Sequence, residues 1–371
     1  MQQDHKTRRE FMRETAAAAA LAAGLSALRP TTMLAAEGDK PAIQKTRSYN
    51  PNMEYRRLGK TGLWVSAVCL GGHWKRIDKM IQVKGRITPY TSPMDAGDME
   101  GFLKNRDEVV SRCMEVGINC IDFAGDSEAE VYCKVLGKRR EQMYLAYSHP
   151  ASELREPPNR KASKLLELFE AGLKRCNLEY ADVWRLMCLE RGGEHSEGDV
   201  QECMKALETA KKQGKCRYTG ISTHDRDWAE ALIEKYPDLM QVLVFPYTAR
   251  SKVLPDHSLF DTLKKHDVGT LGIKPFASNA IFKGDGSPAS PAAEEDSRIA
   301  RLTVRFILNN PQMTAPIPGL ISIQQVDNMA RAVKERRELD AAEKAELDAA
   351  TDDMYARLPR HYAWLRNWEY V

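Results

Sequence analysis

The 371-residue sequence lacks several features that would assign it to a simple class. Its eight cysteines are scattered singly, without a Cys-x-x-Cys pair or a Cys/His cluster, which excludes a zinc ribbon or a cysteine-ligated iron–sulfur centre. The net charge is only +3, too small to hold nucleic acid electrostatically. No apolar run beyond the N-terminus is long enough to span a bilayer. We therefore expect no metal site, no nucleic-acid partner and no membrane span, apart from an N-terminal signal that stays uncleaved.

The N-terminus is organised like an export signal. Arg8 and Arg9 precede Phe11 and the uncharged, Ala-rich stretch Thr15–Leu28, which is too short to cross a bilayer comfortably. The arrangement resembles a twin-arginine signal, whose export machinery carries folded proteins. We predict a signal over residues 1–36, cleaved near Ala36, and a periplasmic or cell-envelope location. An uncleaved anchor and an Ala-rich helix packed on the domain remain the alternatives.

Residues 37–53 are polar and read as a linker, and beyond them strand-like and helical patterns alternate. The strand-like runs are Trp64–Leu70, Ile118–Phe123, Met143–Tyr147, Val183–Cys188, Tyr218–Ser222, Val242–Phe245, Thr270–Lys274 and Ala315–Pro318. The helical runs are Arg106–Val116, Glu128–Lys138, Lys161–Cys176, Val200–Lys212, Asp227–Lys235, Leu259–His266, Ser297–Asn309 and Ile323–Lys334. Eight repeats predict an α/β fold with a parallel sheet closed into a (β/α)8 TIM barrel. An open doubly wound sheet is the alternative, and its Gly-x-Gly-x-x-Gly turn is missing.

Two connections are longer than ordinary loops: Lys75–Leu103 after the first strand and Ser278–Asp296 after the seventh. In a barrel such loops lie on the face that carries ligands. A further helix is predicted over Asp340–Arg357, followed by the aromatic tail Leu358–Val371. The tail either packs over the barrel wall or contributes to a ligand pocket.

Several motifs, in order, resemble the aldo/keto reductase family. They are Met53–Ser66, Cys69–Gly72, Gly117–Asp122, Gly214–Ser222, Ile317–Gly319 and Val326–Asn328. The resemblance covers about residues 53–335. It implies a barrel domain over residues 54–371 that reduces a small carbonyl substrate, or oxidises an alcohol, with NADP or NAD as cofactor.

The resemblance implies a catalytic tetrad of Asp, Tyr, Lys and His, of which this sequence keeps one member. Asp122 closes the second strand, but the following segment Phe123–Glu128 contains no Tyr. Ser148 stands where the Lys is expected, and Met187 stands where the His is expected. Losing a positioned proton donor costs about 10²–10⁴ in rate. The sequence therefore predicts altered proton chemistry.

Other side chains could act at the mouth of the barrel. We predict that Asp122 and His149 are the catalytic groups, and that a cation such as Lys274 replaces the lost partner of Asp122. His73, Trp74 and His224 follow strands and could line the mouth. Strand alternation turns Tyr147 outward if Ser148 faces the lumen.

The resemblance also implies a cofactor cradle. The residues it places there are Gly72, Ser222, Thr223, Gln241, Lys274, Pro275, Phe276, Gly319, Gln324 and Asn328. Thr223 replaces an Asn, Gln324 lies nearest the usual Arg, and Asn328 matches only with a one-residue gap. Phosphate would be held at the helix that follows Pro318-Gly319.

Three functions remain open at this point. The first is an exported oxidoreductase with altered proton chemistry. The second is a non-catalytic barrel, a pseudoenzyme, that binds a small molecule or a partner. The third is a hydrolase or lyase that uses acidic residues near strand ends such as Asp126, Glu128 and Glu190.

Overall fold

The fold is an eight-stranded parallel barrel with helices on its outside. A computed structural model describes residues 32–81, 98–149, 153–188 and 192–371. A short antiparallel hairpin, β1 (Tyr55–Arg57) and β2 (Trp64–Ser66), precedes the barrel. The barrel strands are β3 (Leu70–Gly71), β4 (Cys120–Asp122), β5 (Tyr144–Tyr147), β6 (Ala181–Met187), β7 (Cys216–Ser222), β8 (Val242–Pro246), β9 (Gly269–Ile273) and β10 (Ala315–Pro316).

The sheet closes between its first and last strands. The amide of Cys69 donates to the carbonyl of Pro316 at 3.0 Å, and the amide of Gly71 donates to Pro318 at 2.8 Å. Glycine is needed at position 71 because a Cβ there would lie 2.8 Å from the Pro318 carbonyl oxygen. The predicted closed barrel is confirmed, and the open doubly wound sheet is wrong.

The helices alternate with the strands, as the sequence periodicity predicts. They are α1 (Met99–Val116), α2 (Asp126–Leu136), α3 (Ala162–Arg175), α4 (Glu197–Lys212), α5 (Arg226–Lys235), α6 (Leu259–Lys265), α7 (Ala293–Asn309), α8 (Ile323–Lys334) and the additional α9 (Ala341–Arg357). Serine or aspartate caps begin several of them, and Ser196, Ser258 and Asp340 form capping boxes. Their apolar faces pack on the outer side chains of the strands.

The first predicted strand, Trp64–Leu70, is in fact two elements. Trp64–Ser66 belongs to the hairpin that closes the amino-terminal end of the barrel, and only Leu70–Gly71 is a barrel strand. The chain bends between them because Asn119 Oδ1 accepts from the Ser66 amide at 2.8 Å and Ser66 Oγ donates to the Val68 carbonyl at 2.6 Å. These local side-chain bonds compete with the sheet ladder.

The segment predicted as a linker packs against the closed end of the barrel. Thr46 Oγ1 donates to the Trp64 carbonyl at 2.6 Å, and Arg47 donates to Asp182 at 2.9 Å. Met33, inside the predicted signal, is fully buried, and its carbonyl accepts from the Arg57 amide at 2.8 Å. The structure thus adds residues 32–53 to the barrel domain, while residues 1–31 lie outside the described residues.

The tail after α9 runs back across the barrel as a 3₁₀ segment, Arg360–Trp368. Trp368 is buried and stacks on Phe245 of β8, with ring centroids 5.9 Å apart. Ser251 Oγ donates to the Trp368 carbonyl at 2.9 Å. The tail therefore packs on the barrel wall through Trp368, and its Tyr362 contacts Lys75 at the rim. Across the described ranges, the model contains no helix with the length and apolar character of a membrane span.

Candidate functional site

The carboxyl ends of the strands surround a polar centre built on Asp122. Its carboxylate accepts two bonds from Arg185, at 2.5 Å from Nε and 2.6 Å from the second guanidinium nitrogen. Burial raises the pKa of Asp122, and Arg185 opposes that rise. The expected cation is therefore Arg185 of β6 and not Lys274, which instead faces the tail. Strand alternation could have found Arg185, because it places this residue on the lumen side with Val183 and Met187.

A second carboxylate and an imidazole lie beside this centre. His73, which follows β3, contacts Oε1 of Glu128 through Nδ1. The other oxygen, Oε2, accepts from the Ala124 amide at 2.8 Å. The Glu128 side chain is fully buried, whereas that of His73 is 29% exposed. The sequence analysis named Glu128 only as one of the acidic residues of a possible hydrolase or lyase, and it did not predict this pair.

Gly72 is the residue that makes room for the pair. A Cβ on Gly72 would lie 2.1 Å from Glu128 Oε2 and 3.0 Å from the Asp122 carbonyl oxygen. Its amide donates to that carbonyl at 2.9 Å. Gly72, predicted to bind cofactor, is placed at the rim with Glu128 and Asp122.

Ser148 and Met187 stand where the resemblance places a lysine and a histidine, and Phe123–Glu128 contains no tyrosine. Ser148 is buried and donates to the Phe123 carbonyl at 3.2 Å. Tyr147 faces outward against Phe169 of α3, with ring centroids 5.5 Å apart, as alternation predicts. Its role in core packing is thereby confirmed.

His149, predicted to be catalytic, lies just past β5. Its carbonyl accepts from the Glu153 amide at 3.1 Å. Glu153 is buried and accepts from Trp184 Nε1 at 3.1 Å and from the Met187 amide at 2.7 Å. Burial raises the pKa of Glu153 despite these bonds. Within the described residues, no three His, Cys, Asp or Glu side chains are arranged to hold a metal ion.

The end of β7 carries Ser222 and Thr223, both buried. Ser222 ends the strand on the lumen side, two residues after Gly220, and pairs in register with Met187 of β6. Thr223 Oγ1 accepts from the Asp225 amide at 3.2 Å and so shapes the turn before α5. Ser222 is thus placed where a ligand at the mouth would contact it.

Gln241 is not at the mouth. It precedes β8 at the amino-terminal end of that strand, and its Oε1 accepts from Lys211 Nζ at 2.9 Å and from the Thr219 amide at 3.2 Å. Alternation turns it away from the lumen, because Val242 and Val244 fill the interior. The structure therefore separates Gln241 from the other predicted cofactor residues.

The tail brings a tyrosine to the rim. Lys75 Nζ donates to Tyr362 Oη at 3.3 Å and also contacts Ser278 Oγ. Lys274 Nζ lies 5.4 Å from the centre of the Tyr362 ring. Burial would raise the pKa of Tyr362, but Lys274, Ser278 and Lys75 outweigh it and lower the pKa to about 8.

His224 lies under the same tail. Its ring stacks on Trp364 at 3.9 Å, and its carbonyl accepts from Trp368 Nε1 at 3.1 Å. Burial, followed by the charges of Lys274 and Arg155, lowers the pKa of His224 to about 3. This histidine is therefore neutral at physiological pH and acts as a packing surface for the tail.

The loop after β9 has an unusual backbone. Lys274, Ala277, Ser278 and Asn279 all have positive φ angles, between 46° and 71°. Such conformations are costly for residues other than glycine and cluster at functional sites. The loop buries Pro275 and packs Phe276 on Phe282 at 4.9 Å.

A narrow cleft of about 90 Å³ runs from this loop to the start of α8. It is lined by Lys75, Arg76, Phe276, Asn279, Phe282, Gly286, Asp296, Ser297, Ala300, Gly319, Leu320, Ile321, Gln325, Asn328 and Met329. Three predicted cofactor residues from separate elements, Phe276, Gly319 and Asn328, therefore meet at one place. Gln324 is exposed on α8, and its neighbour Gln325 lines the cleft instead.

Asn328 is fixed by its neighbours in α7. Its Oδ1 accepts from Arg301 at 2.7 Å, and its Nδ2 donates to the Ser297 carbonyl at 2.8 Å. Ser322 caps α8 by accepting from the Gln325 amide at 3.2 Å. The first amides of α8 thus point toward the cleft, as expected of an anion-binding helix start.

Comparisons with known proteins agree with this architecture. L-galactose dehydrogenase of Arabidopsis thaliana is 24% identical over 312 residues, covering 77% of this chain and 90% of that protein. L-glyceraldehyde 3-phosphate reductase of Escherichia coli O157:H7 is 24% identical over 294 residues, covering 75% and 76%. An aldo-keto reductase of Klebsiella pneumoniae, solved in complex with NADPH, superposes with a TM-score of 0.58 at 17% identity, covering 80% of this chain and 94% of that one. The sequence model of the Aldo/keto reductase family matches residues 104–352, so the chain belongs to this family of oxidoreductases.

Proposed function

We propose that the chain is an NADP- or NAD-dependent oxidoreductase that interconverts a small carbonyl compound and its alcohol with altered proton chemistry. The observation that carries this proposal is the cleft in which Phe276, Gly319 and Asn328 meet beside the rim. The Klebsiella pneumoniae relative was solved with NADPH, and a second structure from that organism holds NADP and acetate. These relatives support the same class of cofactor for this chain.

The residues present fit a dinucleotide. Lys75 and Arg76 supply positive charge for a diphosphate, and the capped start of α8 supplies amide donors. Phe276 and Phe282 offer apolar rings to a planar group. The cleft is smaller than the ~300–1,000 Å³ typical of ligand pockets. The cleft therefore has to widen to admit a dinucleotide, and Lys75, one of its lining residues, contacts Ser278.

When bound, the nicotinamide supplies or accepts the hydride. The chain's own part is to orient the carbonyl and to deliver a proton to its oxygen. Asp122 and Arg185 neutralise each other, and they keep a fixed pair of charges below the mouth. Ser222 faces the lumen from β7, the strand next to the one that carries Arg185. The tyrosine, lysine and histidine of the family are replaced, so the proton must come from another group.

A nucleotide-binding titration tests the proposal. The chain from Thr32 to Val371 is titrated with NADPH and with NADH, and binding is followed by the fluorescence of the reduced nicotinamide. We expect saturable binding of at least one of them. Gly319→Val should weaken it, because a Cβ at Gly319 already meets the His73 carbonyl oxygen at 2.3 Å. Gly198→Val, at an exposed position on α4, is the matched control. No affinity for either nucleotide would refute the proposal.

The second candidate is a non-catalytic barrel that binds a small molecule. It is favoured by the position of Tyr362 at the rim, where its hydroxyl accepts from Lys75 and its ring contacts the Lys274 ammonium group. A panel of aldehydes and ketones distinguishes the two, because only the oxidoreductase oxidises NADPH in their presence. Turnover above the rate without substrate would exclude the non-catalytic barrel.

Export by the twin-arginine machinery is the localisation we propose. Its support is the sequence Arg8-Arg9 followed by Phe11 and the Ala-rich stretch. Replacing both arginines by lysine should leave the protein in the cytoplasm in a fractionation experiment. The same fractionation on the unchanged sequence must place the protein in the cell envelope, or the proposal fails.

A further inference from the structure

The pair formed by His73 and Glu128 is placed as a proton-transfer group would be. Glu128 is in the first turn of α2, directly after β4, and His73 follows the neighbouring strand β3. The carboxylate is fully buried and contacts Nδ1 of a partly exposed imidazole. A buried carboxylate that holds one ring nitrogen fixes the tautomer of the ring and stabilises its protonated form.

Two glycines show that the pair is a built feature. Gly72 precedes His73, and any side chain there would collide with Glu128 Oε2 at 2.1 Å. Gly319, which follows the last barrel strand β10, lies against the His73 backbone. A Cβ on Gly319 would be 2.3 Å from the His73 carbonyl oxygen. The contact at Gly319 is with backbone and excludes any other residue type, whereas the contact at Gly72 is mainly with the Glu128 carboxylate itself.

The pair of His73 and Glu128 also lies beside the polar centre built on Asp122. Gly72, one residue before His73, donates to the Asp122 carbonyl at 2.9 Å. Glu128 Oε2 accepts from Ala124, which belongs to the loop after Asp122 where the family tyrosine is missing. His73 and Glu128 both act electrostatically on the Asp122 carboxyl. The imidazole therefore stands beside the place that the lost proton donor would occupy.

We propose that His73, held by Glu128, is the proton donor of this enzyme. The inference rests on the proposed function. In carbonyl reduction the carbonyl carbon gains a hydride with its electron pair from the reduced nicotinamide, and the electrons of the C=O π bond move to oxygen. That oxygen takes the proton from Nε2 of His73, which yields the alcohol and the oxidised cofactor. Neutral His73 regains its proton from water, and alcohol oxidation runs the same steps in reverse.

The charged groups around the ring come from three elements. Glu128 of α2 contacts it directly, and Asp122 of β4 lies next to it, paired with Arg185 of β6. Lys75 follows on the loop of His73 itself and points to the tail. The carboxylates face the imidazole, while the nearest cations of the described residues have partners of their own.

The first test compares His73→Gln with His266→Gln. His266 makes a similar pair with Glu234, 3.0 Å from Nε2 to Oε2, but on the surface before β9. Turnover is measured with NADPH and a panel of para-nitrobenzaldehyde, glyceraldehyde and methylglyoxal. We expect His73→Gln to lower kcat by about 10²–10⁴-fold, with NADPH binding retained, and His266→Gln to leave both unchanged.

The second test reads the role of Glu128 without relying on turnover. Nitrogen-15 chemical shifts of the imidazole report which ring nitrogen carries the proton. In the unchanged protein we expect the neutral His73 ring to carry its proton on Nδ1, which donates to the Glu128 carboxylate. In Glu128→Gln we expect a shift toward the tautomer that carries the proton on Nε2. A merely structural role of Glu128 would leave the tautomer of the ring unchanged.

Several outcomes would overturn the proposal, and they separate it from the proposed function. A chain that binds no nucleotide refutes both. A chain that binds NADPH but reduces none of the aldehydes favours the non-catalytic barrel and counts against both. A His73→Gln variant that keeps its kcat refutes only the proton donor. If Tyr362→Phe abolishes turnover while His73→Gln does not, the proton comes from the tail phenol and the proposal is wrong.

Discussion

Arg185 is a charged residue inside the barrel, and its contribution to stability depends on its ion pair with Asp122. The two side chains are 1% and 4% exposed and share two short bonds. Arg185→Met leaves the carboxylate buried without a cation, and we expect a loss of about 3–5 kcal/mol in the free energy of unfolding. Chemical denaturation measures it. The double variant with Asp122→Asn should recover much of this loss.

A surface arginine provides the control for this measurement. Arg175 pairs with Glu130 at 3.1 Å, and both side chains are more than two-fifths exposed. Arg175→Met should cost at most ~1 kcal/mol. If Arg185→Met were no more destabilising than Arg175→Met, the buried pair would not be important for stability.

Tyr362 is a phenol whose pKa is set by two lysines. Burial raises its pKa, but Lys274 and Lys75, with Ser278, bring it to about 8. Lys274→Met removes the largest lowering contribution, so the pKa of Tyr362 should rise. The measurement is an ultraviolet titration of tyrosinate, taken as the difference between each protein and its Tyr362→Phe derivative.

The matched control is Lys235→Met. Lys235 lies 5.4 Å from the ring of Tyr236 on the surface, far along the chain from the tail. This change should leave the titration of Tyr362 where it is. A midpoint that stays unchanged in Lys274→Met would contradict the assignment.

Much of the site could be predicted residue by residue, and the failures have physical reasons. Asp122, Phe276 and Gly319 lie where their motifs place them, because each motif is tied to a strand end. Arg185 was missed, and Glu128 was named only as an acidic residue of a possible hydrolase or lyase, because the sequence alone does not show which side chains each of them contacts. Gln241 was placed at the mouth from its motif alone, although the register of β8 puts it at the opposite end. Contacts between segments that are far apart in the sequence determine where such residues lie, and the sequence alone does not show these contacts.

At the scale of elements, the first strand shows what periodicity cannot resolve. Trp64–Leu70 reads as a single strand-like run, yet it contains a hairpin strand, a bend and the first residue of a barrel strand. The bend depends on Asn119, which is distant in sequence and bonds to the Ser66 amide. The helices were easier to predict, because their apolar periodicity is local in the sequence and several of them begin at a serine or aspartate cap. Their observed ends differ by few residues, except that α1 begins earlier, at Met99.

The segment before β1 is fastened to the barrel by a buried ion cluster. Asp182 is fully buried and bonds to Arg47 at 2.9 Å, Arg140 at 3.0 Å and Arg217 at 3.2 Å. Burial alone would raise the pKa of Asp182, but the three guanidinium groups hold that pKa well below its usual value. Asp182→Asn leaves three arginines without their anion, and we expect a loss of about 3–5 kcal/mol at neutral pH.

The pH dependence of this loss has a definite sign. A carboxyl with a depressed pKa stabilises the fold above its ordinary value of ~4, and this stabilisation disappears as the pH falls toward the folded pKa. The gap in unfolding free energy between the unchanged protein and Asp182→Asn should therefore be constant near neutrality and shrink in acid. Urea denaturation over a pH series measures it. Asp327→Asn, which removes the exposed partner of Arg112, should show only a small gap. A gap for Asp182→Asn that widens in acid would contradict the argument.

At the scale of the whole molecule, the barrel is held at both ends by segments outside it. The residues before β1 cover its closed end, and the tail after α9 covers part of its open end. The tail carries Tyr362 and Trp364 to the mouth, so the same contacts that stabilise the barrel also shape the space above Asp122. Access to the site is thereby coupled to the packing of the tail on the wall.

Met33 brings the proposed export signal into this assembly. It is fully buried, its amide donates to the Pro311 carbonyl at 3.1 Å, and its carbonyl accepts from Arg57 at 2.8 Å. Cleavage near Ala36 would remove these contacts. A chain that begins at Glu37 should therefore be less stable than one that begins at Thr32, by about 2–5 kcal/mol, the cost of deleting a buried methionine side chain.

Two point variants separate the side chain from the length of the segment. Met33→Ala in the chain from Thr32 should reproduce most of the loss, whereas Leu34→Ala, at a position 42% exposed, should have little effect. Chemical denaturation compares the four proteins, and mass spectrometry of the exported protein gives its true first residue. If Met33 stabilises the fold, selection for a stable mature domain favours a cut before Thr32 or retention of the signal. Equal stability of the chains from Thr32 and Glu37 would remove this argument and leave cleavage near Ala36 as predicted.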